Sequence, residues 1–177
     1  MISDGNITLK EFIDNDKEFT TYISWLRNIN NIKMIGRQEY LLSMNIREIY
    51  DYVNNLNNSN CDSFFKVYIG NDFIGTFKIG HIDWRLGIGD VGIMIGNPIF
   101  KGKGWSTKIV KLGIDYAFNV LNLRRLTGGC FSKNIAMCKC FESCGFIKEG
   151  ILREALILDG LYCDHVCYGL LKKDIKI

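Results

Sequence analysis

A glycine-rich segment at the junction of a strand and a helix is the feature that most constrains how this chain can fold. Residues 90–95 form a short apolar run that predicts a strand, and apolar residues return with helical spacing between Trp105 and Leu121. The joining segment contains Gly102 and Gly104, each preceded by a lysine. Glycine lets backbone amides approach an anion with no Cβ in the way, and a helix N-terminus directs free N–H groups to the same place. The junction therefore predicts an anion-binding cradle, with an ordinary solvated turn as the alternative.

Two other glycine patterns in this region are weaker candidates for phosphate binding. Residues 87–92 match the spacing of a dinucleotide-binding loop, but they precede a predicted strand, whereas that loop follows a strand and opens a helix. Residues 96–103 resemble the phosphate-binding loop of nucleotide hydrolases, yet Gly104 stands where a Ser or Thr would hold magnesium. Both interpretations are rejected, and the cradle remains.

The periodicity of apolar residues along the whole chain predicts seven strands and four helices. The predicted strands are 6–12, 64–69, 73–82, 90–95, 126–131, 147–158 and 161–171, and the predicted helices are 17–28, 45–56, 105–121 and 134–144. Residues 29–44 remain ambiguous. The element order β-α-α-β-β-β-α-β-α-β-β indicates an α+β fold, a mixed α/β sheet with helices on both faces. A length of 177 residues suits a single domain, 1–177.

Composition excludes several classes of protein. The chain is 47% hydrophobic with a net charge of +3. No apolar run approaches the roughly 18 residues of a membrane span, and the first residues lack the basic and apolar regions of a secretory signal. We therefore expect a cytoplasmic protein that does not contact a membrane. The charge is too small to suggest a nucleic-acid partner.

The cysteines do not indicate a metal site. The chain has seven, which we expect to be reduced in a cytosolic protein. Cys163, His165 and Cys167 alternate along one predicted strand, but no Cys-x2-Cys pair is present. We expect no metal.

Several short motifs resemble the GNAT superfamily of N-acetyltransferases. Residues 93–106 resemble its acetyl-CoA motif, with Lys101 in place of Arg or Gln and Ser106 in place of the last Gly or Ala. Residues 134–146 resemble the family's Asn and its Tyr-Glu-Lys-x-Gly-Phe sequence. The resemblance covers about residues 60–172 and points to the branch that acetylates ribosomal-protein alanines, small amines and amino sugars. It implies a central twisted, mostly antiparallel sheet of about seven strands, and acetyl-CoA as the acetyl donor.

The resemblance also implies which residues bind the cofactor. In the family, the strand before the glycine loop splays from its neighbour, and the pantetheine arm lies in the gap; this role falls on Met94, Ile95 and Gly96. Asn134 would bind the cofactor through its side chain, with a plain helix N-cap as the alternative. The pyrophosphate would lie on the cradle, which comprises Lys101, Gly102, Lys103, Gly104, Trp105 and Ser106.

The catalytic groups are less clearly indicated. The family transfers the acetyl group by direct attack of an amine, and many relatives protonate the leaving thiolate from a tyrosine that is Phe141 here. Either another group such as Ser143 replaces it, or the thiolate leaves unprotonated, which a thiol pKa near ~8.5 tolerates. His81 and Asp83, two apart on one strand and so on one face, are candidate bases, with surface roles as the alternative. Further candidates on the last hairpin are Asp164 and His165.

The acceptor side is expected to be formed by the N-terminal helices, an intervening loop and the final hairpin. Candidate substrate-binding residues are Trp25, Arg37 and Asp83. Arg37 suits a substrate phosphate, as in a sugar nucleotide, whereas Glu39 with Asp83 suits a cationic amine. We expect a small-molecule amine such as a nucleotide-linked amino sugar, acetylated by a monomer or homodimer. A protein N-terminus as acceptor, or a non-catalytic CoA-binding module, are the alternatives.

Overall fold

The structure is a computed structural model that describes residues 1–12, 16–35 and 44–175, and these residues form one eight-stranded sheet with five α-helices. The strands are β1 (Ile2–Asp4), β2 (Ile7–Glu11), β3 (Ser63–Ile69), β4 (Asp72–Asp83), β5 (Ile88–Ile95), β6 (Arg125–Phe131), β7 (Ile147–Leu158) and β8 (Leu161–Leu171). The helices are α1 (Asp16–Leu26), α2 (Ile29–Ile32), α3 (Ile46–Asn58), α4 (Trp105–Asp115) and α5 (Ile135–Ser143). Short 3-10 turns cover Pro98–Phe100 and Lys172–Asp174.

The strand order is β1-β2-β3-β4-β5-β6-β8-β7, and neighbours are antiparallel except for the parallel pair β5 and β6. The predicted mixed, mostly antiparallel sheet with helices on both faces is therefore confirmed. It has eight strands rather than seven, because the chain reverses at Gly5, whose φ is 55°, and adds β1 at the edge. A three-residue strand is too short to show a period in the sequence.

The sheet opens between its two parallel strands. Within the continuous described stretch 44–175, β5 pairs with β6 at Ile88 with Arg125, Gly89 with Leu126 and Asp90 with Thr127, and no further. Beyond Asp90, β5 runs on to Ile95 while still paired with β4 on its other side. The two strands therefore separate towards their carboxyl ends, and this separation positions the site.

Alternation along the strands sends side chains to two differently covered faces. On one face, Val91 packs in a cluster with Ile109 of α4 and Phe141 of α5; we call this the α4/α5 face. On the other, Met94 packs with Trp25 of α1 and with residues of α3; we call this the α1–α3 face. The gap between β5 and β6 therefore lies between two helical layers.

Local turn and cap chemistry explains where most elements begin and end. Both predicted hairpins are present, and their turns use positive φ at Gly70 (58°) and at Gly160 (76°), where glycine carries no steric penalty. A capping box begins α3, since the Asn45 side chain accepts from the Glu48 N–H and the Glu48 carboxylate accepts from the Asn45 N–H. No helix in the described ranges is long and apolar enough to cross a membrane.

The predicted helix 105–121 has two parts. The α-helix α4 ends at Asp115, and a π-helical turn follows over Tyr116–Val120, closed by the Leu121 N–H donating to the Tyr116 carbonyl at 3.0 Å. The apolar spacing is maintained through this turn, which is why the sequence does not reveal the change of helix type.

Candidate active site

A cavity of about 690 Å³ lies where β5 and β6 separate. Its lining comes from both faces of the sheet. On the α4/α5 face it includes Cys130, Asn134, Met137 and Phe141, and on the α1–α3 face it includes Asp62, Lys78, His81, Asp90 and His165. The cavity therefore reaches both helical layers through the gap in the sheet.

The exposed edge of β5 presents backbone groups to this gap. The Gly96 N–H donates to the Ile74 carbonyl of the neighbouring chain segment at 2.9 Å. Because hydrogen-bonding direction alternates along an antiparallel pair, Met94 shares this orientation, and the backbone groups of Ile93 and Ile95 point towards the gap. Of the three residues predicted to hold the pantetheine arm, Ile95 therefore directs its backbone groups to the gap, and Ile93 is the residue with this orientation that also lines the cavity.

The other two members of that trio have packing roles in the structure. The Met94 side chain is buried against the α1–α3 layer. Gly96 lies against the Trp25 ring so closely that a Cβ on it would stand 2.0 Å from a ring carbon. Glycine is therefore required at residue 96 by the packing of Trp25.

The loop between β5 and α4 has the conformation that the cradle requires. Gly102 and Gly104 both lie in the left-handed region, with φ of 71° and 77°, and a Cβ built on either would meet no heavy atom within 4 Å. Gly104 is the N-cap residue of α4 and supplies no side-chain hydrogen bond to the first turn. The first amides of α4 therefore lack a side-chain cap, which leaves them suited to a phosphate oxygen.

The cationic and aromatic members of the cradle differ in their surroundings. Lys101 Nζ donates to Asn31 Oδ1 at 2.5 Å, and partial burial lowers the pKa of this lysine. Lys103 is exposed, and Trp105 and Ser106 are half-buried in the first turn of α4. Lys101 thus ties α2 to the loop, while Lys103 is placed to face a bound anion from solvent.

A carboxylate lies at the point where the strands part. Asp90, the last residue of β5 to pair with β6, accepts a hydrogen bond from Thr127 Oγ1 at 2.8 Å. Burial raises the pKa of Asp90, although the Thr127 hydroxyl and positive charge at His81, Lys78 and His165 oppose that rise. A half-buried carboxylate with a raised pKa in a cavity is a candidate proton acceptor. Our candidate set from the sequence omitted it; the available signal was one carboxylate inside an otherwise apolar strand.

Two adjacent glycines of β6 admit rings from opposite faces at the gap. A Cβ on Gly128 would stand 2.5 Å from the Phe141 ring, and a Cβ on Gly129 would stand 2.2 Å from His165 Nε2. The His165 Nδ1 lies 3.9 Å from Cys167 Sγ. Phe141 and His165 can therefore lie directly over the β6 backbone and face the cavity from its two sides.

Comparison with known proteins fits this geometry. The family model described as the acetyltransferase (GNAT) domain matches residues 5–147. The chain belongs to the GNAT family. The predicted family, the class of enzyme and acetyl-CoA as donor are thereby confirmed at the level of the family, and the loop of Gly102 and Gly104 at the start of α4 fits the cofactor's pyrophosphate.

Three individual relatives have 22–38% identity to this chain over the matched residues. Probable N-acetyltransferase YjcK of Bacillus subtilis (strain 168) is 38% identical over 73 residues, 41% of this chain and 40% of that protein. Uncharacterized N-acetyltransferase p20 of Bacillus licheniformis is 29% identical over 130 residues, 72% of each chain. Spermidine N-acetyltransferase from Vibrio cholerae, crystallised with CoA and spermine, has a TM-score of 0.86 at 22% identity, over 96% of this chain and 97% of that one. The last likeness shows the shared fold.

Phe141 stands where many GNAT enzymes have their tyrosine. It is 1% exposed and packs against Phe146 and Tyr168, with ring centroids 5.0 and 5.2 Å away. On this side of the described lining the ionisable group is the Cys130 thiol; burial and its contact with Cys138, 3.5 Å between the sulfurs, raise its pKa to about 12. A thiol with that pKa is a poor proton donor to a thiolate whose own pKa is near ~8.5.

The structure separates the three predicted catalytic residues. His81 lines the cavity, but its backbone is left-handed (φ 51°), and the register shifts between Gly80 and Asp83. Strict alternation is therefore interrupted here, and His81 is the member of this pair that lines the described cavity. The Asp83 carboxylate instead accepts from the Leu86 N–H at 2.8 Å within the following turn. Ser143 is exposed at the end of α5 and lines a different cavity of about 560 Å³.

The predicted acceptor-side residues are only partly described. Trp25 is 8% exposed and packs on Phe73, with ring centroids 4.7 Å apart. It therefore supports the core of the α1–α3 layer. Arg37 and Glu39 lie outside the described residues. Across the described ranges, no group of three or more His, Cys, Asp or Glu side chains is arranged to hold a metal ion.

Proposed function

We propose that this chain is an acetyl-CoA-dependent N-acetyltransferase that acts on a small primary amine. One observation carries the proposal: the cavity at the β5–β6 separation opens to both helical layers and holds the half-buried Asp90 carboxylate on the α1–α3 side, while the uncapped N-terminus of α4 begins on the other side of the same sheet. A direct transfer needs both the acetyl donor and the amine in one continuous space. The small-amine acceptor is also in keeping with the spermine bound by the Vibrio cholerae relative.

The chain's own groups divide between the two substrates. When bound, acetyl-CoA supplies a thioester as the acetyl donor. The glycine loop and the first amides of α4 bind its phosphates, and the backbone of Ile93 and Ile95 orients its arm in the gap. On the α1–α3 face, Asp90 accepts a proton from the incoming ammonium, because only a neutral amine is nucleophilic.

Asp90 is suited to this role by its environment. Burial makes its carboxylate a stronger base than an exposed aspartate, and the Thr127 hydroxyl holds Oδ1 in place. His81 and His165 border the same space and can pass the proton on towards solvent.

The finer expectations stay predictions. The nucleotide-linked amino sugar depends on Arg37, which lies outside the described residues. A protein N-terminus as acceptor and a non-catalytic CoA-binding module are the alternatives, and a cytoplasmic location and a monomeric or homodimeric state are further predictions.

The test is a thiol-release assay with acetyl-CoA and a panel of amines, run beside calorimetric titration with CoA. We expect CoA binding together with release that depends on the amine. CoA binding without release for any amine, including peptides that begin with Ala or Ser, would favour the non-catalytic module. Release with such peptides alone would favour a protein N-terminus as acceptor.

A further inference from the structure

The α1–α3 side of the cavity has a wall of apolar side chains. Met34 and Ile35 follow α2, Leu56 lies on α3, and Leu156 lies on β7. Met34 and Leu156 are partly buried and pack together with a small hydrophobic cluster that includes Phe131. Tyr52 of α3 also lines this side, so the wall is apolar apart from one phenol. Such a wall favours burial of an apolar body, and its four aliphatic side chains offer no hydrogen-bond partners to hydroxyl groups.

The charged groups of this cavity leave one carboxylate for a substrate. The Asp62 carboxylate lies 3.8 Å from Lys78 Nζ and accepts from the His81 backbone N–H at 3.3 Å. Among the described lining residues, Asp90 is the remaining carboxylate, and Lys78, His81 and His165 surround it. The described cavity can therefore accommodate one amino group beside Asp90.

A second positive charge on the substrate would be disfavoured. Within the described lining it would meet no carboxylate other than those already engaged, and the Lys78 ammonium would repel it. Desolvating an unpaired ammonium is costly, as is burying sugar hydroxyls against apolar side chains. The apolar wall and the single available carboxylate therefore both favour a substrate with one amino group and an apolar body.

We infer that the acceptor is a primary monoamine with an apolar body, of the alkylamine or arylalkylamine class, rather than a polyamine or an amino sugar. The inference rests on the proposed function and names the substrate class of the same site. The amino group lies at Asp90, and the body lies against Met34, Ile35, Leu56 and Leu156.

The experiment compares kcat/KM for thiol release with 1-butylamine, 1-hexylamine, 1,6-diaminohexane, spermidine and glucosamine. We expect 1-hexylamine to exceed 1-butylamine about tenfold, since each buried methylene contributes about threefold to fourfold. The diamine, which has the same chain length, should fall at least about tenfold below 1-hexylamine. A value for 1,6-diaminohexane, spermidine or glucosamine equal to or above that for 1-hexylamine overturns the inference and leaves the proposed function in place. No release with any amine overturns both.

A matched pair of variants on β7 tests whether Leu156 contacts the apolar body of the substrate. Leu156→Ser should lower kcat/KM for 1-hexylamine about tenfold and weaken its calorimetric binding to the CoA complex, with little change for methylamine. Leu152→Ser, at an exposed leucine of the same strand outside the cavity, should change neither. An equal loss for both amines in Leu156→Ser, or no loss, overturns the placement of the apolar body.

Discussion

The two faces of the β5–β6 cavity are built by different means. On the α4/α5 face, the proposed binding groups are backbone amides of the continuous loop at Gly102 and Gly104, together with the cap residue Asn134. On the α1–α3 face, they are side chains from three separate strands, including Asp90 and His165. The first face depends on local backbone conformation, and the second depends on sheet register. We therefore expect substitutions to distinguish the two faces. Changes on the α4/α5 face should affect the affinity for acetyl-CoA, and changes on the α1–α3 face should affect turnover.

The largest effect is expected on the α1–α3 face. Asp90→Asn keeps the size of the side chain but removes the proton acceptor, so kcat should fall about 10²- to 10⁴-fold while acetyl-CoA affinity is unchanged. Asp83→Asn is the companion variant, because the Asp83 carboxylate closes a turn outside the cavity lining. Steady-state kinetics with calorimetric titration measure both quantities. A greater fall in kcat for Asp83→Asn than for Asp90→Asn would favour Asp83 as the base, as the alternation along β4 predicts.

A smaller effect, on affinity rather than turnover, is expected at the cradle. Gly104→Val places a β-branched residue at φ 77° and a side chain where the anion approaches, so acetyl-CoA should bind about tenfold to a hundredfold more weakly. Gly160→Val is the matched control, because Gly160 has φ 76° and also no heavy atom within 4 Å of a built Cβ. Both variants should lose about 1–2 kcal/mol of stability from left-handed strain. Equal CoA affinities in the two variants would show that the cradle is elsewhere.

The contrast between local backbone conformation and sheet register also explains which features the sequence could predict. The strand, glycine loop and helix around residues 90–115 are read from local periodicity and turn chemistry, and the structure reproduces them. The hairpin turns and the capping box at Asn45 are local in the same sense. Family motifs could propose a cofactor side because most of its predicted groups, residues 101–106, are contiguous in the chain.

The acceptor face could not be derived in this way. His81 and Asp83 satisfy the alternation rule, but a bulge with a left-handed residue at His81 breaks the register, and alternation alone does not reveal a bulge. Asp90 becomes a candidate only once the pairing of β5 with β6 is known to end there. That end point is a tertiary property, as is the close approach of His165 over Gly129.

The smallest expected effect concerns Asn134, for which the sequence predicts two roles, a helix N-cap and a contact to the cofactor. Its Oδ1 accepts from the Met137 N–H at 3.1 Å and caps α5, so Asn134→Ala should cost about 1 kcal/mol in the free energy of unfolding. Asn45→Ala, which removes the cap of α3 far from the loop, should cost a similar amount and leave acetyl-CoA binding unchanged.

Asn134→Ser separates the cap of α5 from cofactor binding. Serine retains a capping oxygen but lacks the amide donor, so stability should stay within about 0.5 kcal/mol of the parent. If the amide also bonds the cofactor, as the family motif implies, acetyl-CoA should bind about fivefold more weakly, the equivalent of one neutral hydrogen bond. Chemical denaturation and calorimetric titration of the three variants measure the two effects independently. Unchanged affinity in Asn134→Ser would assign this residue to the helix alone and leave the backbone of the glycine loop as the principal contact to the donor.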